Sequence, residues 1–235
     1  MLRTDTVHIW RIDLDTATAA AGALLRTALS EPERDRAAGI DDPVLRARFE
    51  AARGAARRIL GRYLSRPPDL IGWRTGRWGK PHLAGHEDAL RFSLSHCGPL
   101  ALLAVTGSRD VGVDLERPVP GRNVLALSRR YFTADESALV AGAAETDRDG
   151  VFLALWTRKE ACTKAAGTRL LGHGLRLPVA GPPHSRGPLR VHDPAGRLPG
   201  CWSVRDVPAP PGHRAAVALA GTAPAYLTIR QWEPQ

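Results

Sequence analysis

The stretch that decides the fold is Trp156-Thr157-Arg158-Lys159-Glu160-Ala161-Cys162-Thr163-Lys164-Ala165-Ala166-Gly167. Val151, Leu153 and Leu155 lead into it, small residues follow, and the next proline is Pro178. Such a run predicts a helix from about Val151 to Ala166, with Gly167 as its stop. On that helix Glu160 and Lys164 stand four residues apart, so a carboxylate and an ammonium leave the same face one turn apart. Taken alone, the pair reads as an ordinary surface salt bridge. A second acidic cluster changes that reading. If Gly112-Val113-Asp114-Leu115-Glu116 is a strand, Asp114 and Glu116 point to one side of it and the other side is apolar. Three carboxylates and a lysine could then meet.

Outward from this pair of segments, 235 residues suffice for one large core or two small ones, and two linked α+β halves are expected. Pro118, Pro120 and Gly121 are the natural hinge, which divides the chain into residues 1–118 and 119–235. The 33 Lys and Arg residues exceed the 24 Asp and Glu residues, for a net charge of +9, and the positive charges are overwhelmingly arginine. The arginine fork grips phosphate in a bidentate way, so the balance favours a phosphate-bearing or acidic partner; GC-rich coding enriches arginine as well. Cys97, Cys162 and Cys201 are odd in number and far apart, which excludes a disulfide framework and the compact zinc patterns. A reducing, cytoplasmic location is expected. There is no apolar run of the roughly 18 residues that a membrane span needs.

In chain order, Val7 to Leu14 alternates as a strand, and an Ala-rich helix follows from about Thr16 to Leu29. Glu31-Pro32-Glu33 opens a short basic helix with Arg34 and Arg36. A long helix from Pro43 to about Leu64 carries Val44, Phe49, Ala52, Ala56, Ile59, Leu60 and Tyr63 as its apolar stripe. Its arginines, among them Arg53, Arg57 and Arg58, read as a solvated face. Ser65 to Leu83 reads as a loop, rich in Pro, Gly and Trp. Its glycines could let backbone N–H groups approach an anion while Arg77 and Lys80 supply charge. Strands are expected at Leu90–His96, Leu100–Thr106 and Asp110–Glu116, forming one small antiparallel sheet against the long helix. Beyond the hinge come helices near Val124–Tyr131 and from Thr133, whose Thr-Ala-Asp-Glu run is a capping box. Strands close the chain at about Trp202–Val207, His213–Leu219 and Ala225–Trp232.

Asp114, Glu116 and Glu160 are hard oxygen donors with no His or Cys nearby in sequence, which suits Mg²⁺ and argues against zinc. Magnesium commonly bridges a few carboxylates to substrate phosphates. Ser93-Leu94-Ser95-His96 ends a strand, where hydroxyls and an imidazole could meet a phosphate; such serines also satisfy turns locally.

Gly79-Lys80-Pro81, Phe92-Ser93-Leu94-Ser95-His96, Gly112-Val113-Asp114-Leu115-Glu116 and Trp156-Thr157-x-Lys159-Glu160-Ala161-x-x-Lys164-x-x-Gly167, in this order, resemble the motifs of the Sfp-type 4′-phosphopantetheinyl transferases. The resemblance covers about residues 30 to 170. It implies a pseudo-two-fold α+β fold with coenzyme A in the cleft between the halves. Asp114, Glu116 and Glu160 resemble that family's Mg²⁺ ligands. Arg36, Lys80, Ser95 and His96 resemble coenzyme A contacts, with His96 towards the 3′-phosphate; Arg77 is placed beside them by the charge of its glycine-rich loop, and Asp114 and Lys164 also border that ligand. Ser93 stands where Asn is frequent, and Glu31-Pro32 departs from the family's usual order, which affects the register of Arg36.

The implied reaction moves 4′-phosphopantetheine from coenzyme A to a serine of an apo acyl or peptidyl carrier protein. Glu160, directly or through a water, would take the serine proton, and Lys164 would offset charge on the phosphates. A monomer without nucleic-acid or membrane partners is expected. The competing readings are a Mg²⁺-dependent nuclease or phosphodiesterase and a non-enzymatic nucleic-acid-binding module. The second leaves three acids facing a phosphate backbone unexplained.

Overall fold

The structure, a computed structural model, describes residues 2–3, 5–86, 89–168, 170, 175–181, 187–196 and 198–234. It has the α+β class, and its contacts divide it into two units. Unit 1 comprises Met1–Thr75, Pro81–Ser108 and Tyr226–Gln235, and unit 2 comprises Gly76–Lys80 and Arg109–Ala225.

In unit 1, strand β1 (Thr6–Asp13) leads into helix α1 (Leu14–Thr27), capped by Asp13, whose side chain accepts from the Thr16 N–H. Helix α2 (Glu31–Ala38) is followed by α3 (Pro43–Leu64), whose first turn is fixed by Pro43 and by Asp42 accepting from the Val44 and Leu45 N–H groups. Ser65–Leu83 is not an unbroken loop: β2 (Trp73–Thr75) and β3 (Pro81–Leu83) pair antiparallel within it. Strands of three residues are too short to show a period of two, so nothing in their composition distinguishes them from the surrounding turns. Next come β4 (Arg91–Cys97) and β5 (Leu100–Thr106), joined through Gly98 at φ 58°.

β5 pairs antiparallel with β1 on one edge and with β4 on the other. Both edges of β5 are therefore taken. The strand β6 (Val111–Glu116) consequently joins the other sheet, and the expected three-stranded grouping of β4, β5 and β6 gives way to two sheets. The last strand, β10 (Tyr226–Gln231), returns to unit 1 and runs parallel to β1, giving the sheet order β10-β1-β5-β4. Where the sequence places a single boundary after residue 118, the contacts divide the chain after Ser108 and carry this tail strand back.

α3 buries Phe49, Ala52, Ala56, Ile59 and Leu60 as its pattern implies, but Val44, in the first turn, is 52% exposed and lies off the stripe. Arg57 departs from the solvated face altogether. Its side chain is buried, Nε donates to Glu33 at 2.7 Å, and a guanidinium N–H donates to the Ile71 carbonyl. The amphipathic pattern could not reveal this, because the partner lies on another helix.

In unit 2, β6 is followed by α4 (Val124–Tyr131), α5 (Ala134–Gly142) and α6 (Arg148–Ala166), then β7 (Leu189–His192), β8 (Cys201–Asp206) and β9 (Arg214–Ala220). The sheet order is β6-β9-β8-β7, antiparallel throughout, and β7 is a strand that the Pro- and Gly-rich tail did not announce. α6 lies on β6, β9 and β8. Phe152, Leu153, Leu155, Ala161, Cys162 and Ala165 pack there against Val204, Ala216 and Ala218. The Thr133 capping box forms as read, with Thr133 N–H donating to Glu136 at 3.2 Å.

Glu136 also closes a buried ion pair. Lys159 Nζ is 2.6 Å from Glu136 Oε2 and donates as well to the Leu177 carbonyl, while Glu136 Oε1 accepts from the Val179 N–H at 2.7 Å. Burial lowers the lysine pKa, and Glu136 acts against that shift. Lys159→Met should cost about 3–5 kcal/mol, because it leaves the buried Glu136 carboxylate without a counter-charge. Arg48→Met, which breaks the exposed 2.7 Å pair with Asp15, should cost less than about 1 kcal/mol. Urea unfolding of the two variants measures the difference; equal losses would refute this ordering.

Candidate active site

The site is assembled where α6 crosses β6. A Cβ at Gly112 would lie 2.0 Å from the Ala161 carbonyl oxygen and 2.4 Å from the Ala165 nitrogen, so the strand backbone touches the helix backbone directly. Strand alternation puts Asp114 and Glu116 on the Gly112 side, beneath α6. From above, α6 presents Glu160 and, one turn on, Lys164. Val113 and Leu115, on the opposite side of β6, are buried, as the apolar alternation implied.

Lys164 is not a surface partner confined to Glu160. Its ammonium lies 2.6 Å from Asp114 Oδ1, and the Asp114 side chain is only 3% exposed. The electrostatics follow from like charges gathered out of water. Burial pushes the Glu160 carboxyl up to about 7, with Asp114 and Glu116 adding to the rise and Lys164 opposing it. Burial, then Asp114, also raises Glu116, against Arg122 and Lys164. For Lys164, burial acts to lower the pKa, but Asp114, Glu160 and Glu116 together overcome it and hold the group above its ordinary value.

Asp114, Glu116 and Glu160 supply hard oxygen donors whose mutual repulsion a divalent cation would relieve, so the donor set fits magnesium chemically. In the arrangement described, Lys164 is the cation bound to Asp114. Among the described residues no group of three His, Cys, Asp or Glu side chains is drawn together closely enough to hold a metal.

Lys80 closes the turn after β2, where Gly76 N–H donates to its carbonyl at 2.8 Å. Its ammonium donates to the Ala165 carbonyl at 2.6 Å and lies 3.3 Å from Asp110 Oδ1. Arg77 in the same turn is exposed, with its guanidinium 4.7 Å from the Trp78 ring centre. The other expected ligand contacts belong to unit 1. Ser95 is buried on β4 and pairs with Leu102, and His96 follows it, exposed, opposite Ala101. Arg36, in the last turn of α2, is exposed and holds its guanidinium 5.3 Å from the Phe49 ring centre. Arg53 shares that ring at 5.6 Å and also covers Trp73 at 5.5 Å. The four-residue step from Phe49 to Arg53 to Arg57 was the available signal for this cluster. Asp110 was missed as well, since only the fold brings Lys80 to it.

Because folded Glu160 keeps its proton to about pH 7 and the unfolded chain releases it near 4.5, the folded state binds more protons in that window. The contribution to stability is therefore full below the lower value and is lost as pH rises to the upper one. Glu116 adds a change of the same sign. Without added metal, Glu160→Gln should melt above the parent at pH 8, and the two melting curves should converge near pH 4. Thermal unfolding across that range checks the sign; a variant less stable at pH 8 would contradict it.

A family model described as the 4′-phosphopantetheinyl transferase superfamily matches residues 110–219, a span that lies inside unit 2. The chain is 39% identical to the 4′-phosphopantetheinyl transferase HetI of Nostoc sp. over 71% of its own length and 70% of that protein's. It is 32% identical to the putative 4′-phosphopantetheinyl transferase slr0495 of Synechocystis sp., over 61% of this chain and 59% of the relative. It is 33% identical to the 4′-phosphopantetheinyl transferase AcpT of Salmonella typhimurium, over 48% of this chain and 57% of the relative.

Proposed function

The chain belongs to the 4′-phosphopantetheinyl transferase superfamily, and on that premise we propose that it moves 4′-phosphopantetheine from coenzyme A to a serine of an apo acyl or peptidyl carrier protein. The observation that supports this most is the gathering of Asp114, Glu116, Glu160 and Lys164 on β6 and α6, within the matched span. Membership in the family weighs against the nuclease and nucleic-acid-binding readings.

In the proposed reaction the serine oxygen bonds to the β-phosphorus of coenzyme A, and the bond from that phosphorus to the bridging oxygen breaks. Adenosine 3′,5′-bisphosphate leaves with the electron pair. The serine proton passes to Glu160, directly or through a water. Lys164 offers its ammonium to the negative charge that grows on the departing phosphate. Magnesium, held by Asp114, Glu116 and Glu160, would neutralise the pyrophosphate and so lower the cost of bringing the serine oxygen to it.

Arg36, Arg77, Ser95 and His96 are assigned to the coenzyme A phosphates, His96 to the 3′-phosphate. The net charge of +9 favours an acidic carrier protein. No helix among the described residues is long and apolar enough to cross a membrane. The three cysteines are free, and a monomer in a reducing compartment is proposed.

Incubating the protein with coenzyme A, Mg²⁺ and an apo carrier protein should raise the carrier's mass by one phosphopantetheine. An unchanged mass across several carrier classes would defeat the proposal. Asp114→Ala and Glu160→Ala should each slow transfer by about a hundredfold or more while remaining folded. Near-parental turnover by either purified variant would remove it from the site.

His96→Ala should chiefly raise KM for coenzyme A, with little change in kcat. With dephospho-coenzyme A, which lacks the 3′-phosphate, variant and parent should behave alike. A loss of the same size with both substrates would dissociate His96 from that phosphate.

A further inference from the structure

The chain contains three lysines, Lys80, Lys159 and Lys164, and every other basic residue counted with them is an arginine. Two of the lysines lie on α6. The third, Lys80, comes from a distant turn and reaches the same helix. Its side chain is 7% exposed, which leaves little of it available to a ligand.

The C-terminal end of a helix leaves its last four carbonyls without intrahelical partners. In α6 two of them are met by the chain just beyond: Gly167 N–H donates to the Lys164 carbonyl at 3.2 Å and Thr168 N–H to the Thr163 carbonyl at 2.9 Å. Gly167 makes this closure possible by adopting φ 65°. The next carbonyl along the helix, that of Ala165, is taken by Lys80 Nζ at 2.6 Å. A cation there also meets the negative end of the helix dipole. The stem of Lys80 runs across the helix end, since a Cβ at Gly167 would lie 3.4 Å from Lys80 Cδ. The ammonium also pairs at 3.3 Å with Asp110, whose carbonyl accepts from Ala220 N–H at 2.9 Å. A compact ammonium with three donors suits this small, buried space better than a planar guanidinium does.

From this geometry we infer that Lys80 is a positioning residue, one that fixes the end of α6 to the start of β6 and so sets Lys164 and Glu160 over Asp114. Asp110 is four residues before Asp114 in the segment leading through β6, and Ala165 is the residue after Lys164. The Lys80 link and the 2.6 Å Lys164–Asp114 link therefore join the same two elements at neighbouring points. Loss of the first lets the second slide. This reverses the role that the motif resemblance implies for Lys80, in which it touches coenzyme A.

The kinetic part of the test rests on the transferase reading, and the exchange part does not. In transfer assays Lys80→Met should lower kcat about tenfold or more while KM for coenzyme A changes less than about twofold. The same factor should appear with dephospho-coenzyme A. Asp110→Asn, which weakens the clamp without removing the bond to Ala165, should lower kcat in the same way by a smaller factor. In the free protein, amide hydrogen exchange at Gly167 and Thr168 should quicken about tenfold in Lys80→Met. A raised KM with kcat preserved would make Lys80 a substrate contact and overturn the inference, as would unchanged exchange at those amides. A parent protein without transferase activity would defeat the functional reading, and the exchange rates would still decide the clamp.

Discussion

The candidate site depends on an approach between two backbones. Because position 112 has no side chain, α6 can rest on β6 closely enough that the next residues on the same side of the strand, Asp114 and Glu116, come under the helix together with Glu160. Any larger residue would collide with the backbone of the helix and force it away from the strand. Glu116 and Glu160 would then stay hydrated, and burial would not raise them. The raised proton affinity of Glu160 comes from burial, and the close approach at Gly112 lets the helix lie over the strand.

That crowding must be compensated. Lys164 supplies part of the opposite charge from the helix itself, and the rest of the arrangement is held by contacts that do not touch the carboxylates. Lys159 ties the middle of α6 to the capping carboxylate of α5, and the stack of Phe132, Phe152 and Trp156 steadies its first half. The helix is fixed along its length by interactions of different kinds. A site that works by charge placement needs such a rigid mount, since electrostatic stabilisation is lost when groups must reorganise during reaction.

Much of this was legible in the residues. The boundaries of α3 and α4 are those that the sequence implies, as is the capping box at Thr133, because each rests on local chemistry: a proline in the first turn, a side chain that accepts from the backbone, an apolar stripe. The placement of the candidate carboxylates was legible too, through the alternation of β6 and the four-residue step on α6. What escaped was long-range. The pairing of β10 with β1 and the exclusion of β6 from the first sheet depend on which strand edges are already occupied. The burial of Arg57 and the engagement of Lys80 depend on partners supplied by distant segments. Periodicity records which face of an element is apolar, but it carries no information about which neighbour will cover it.

The near-absence of lysine has a practical consequence. With three ε-amino groups in the chain, all in unit 2 and each bonded to α6 or projecting from it, selective ¹⁵N labelling of lysine would yield three side-chain resonances. Each would come from a different place along one helix: its middle, the face over Asp114 and its end. The protein in effect carries its own set of spectroscopic probes, placed where a change in the helix would be felt, and no residue has to be altered to install them.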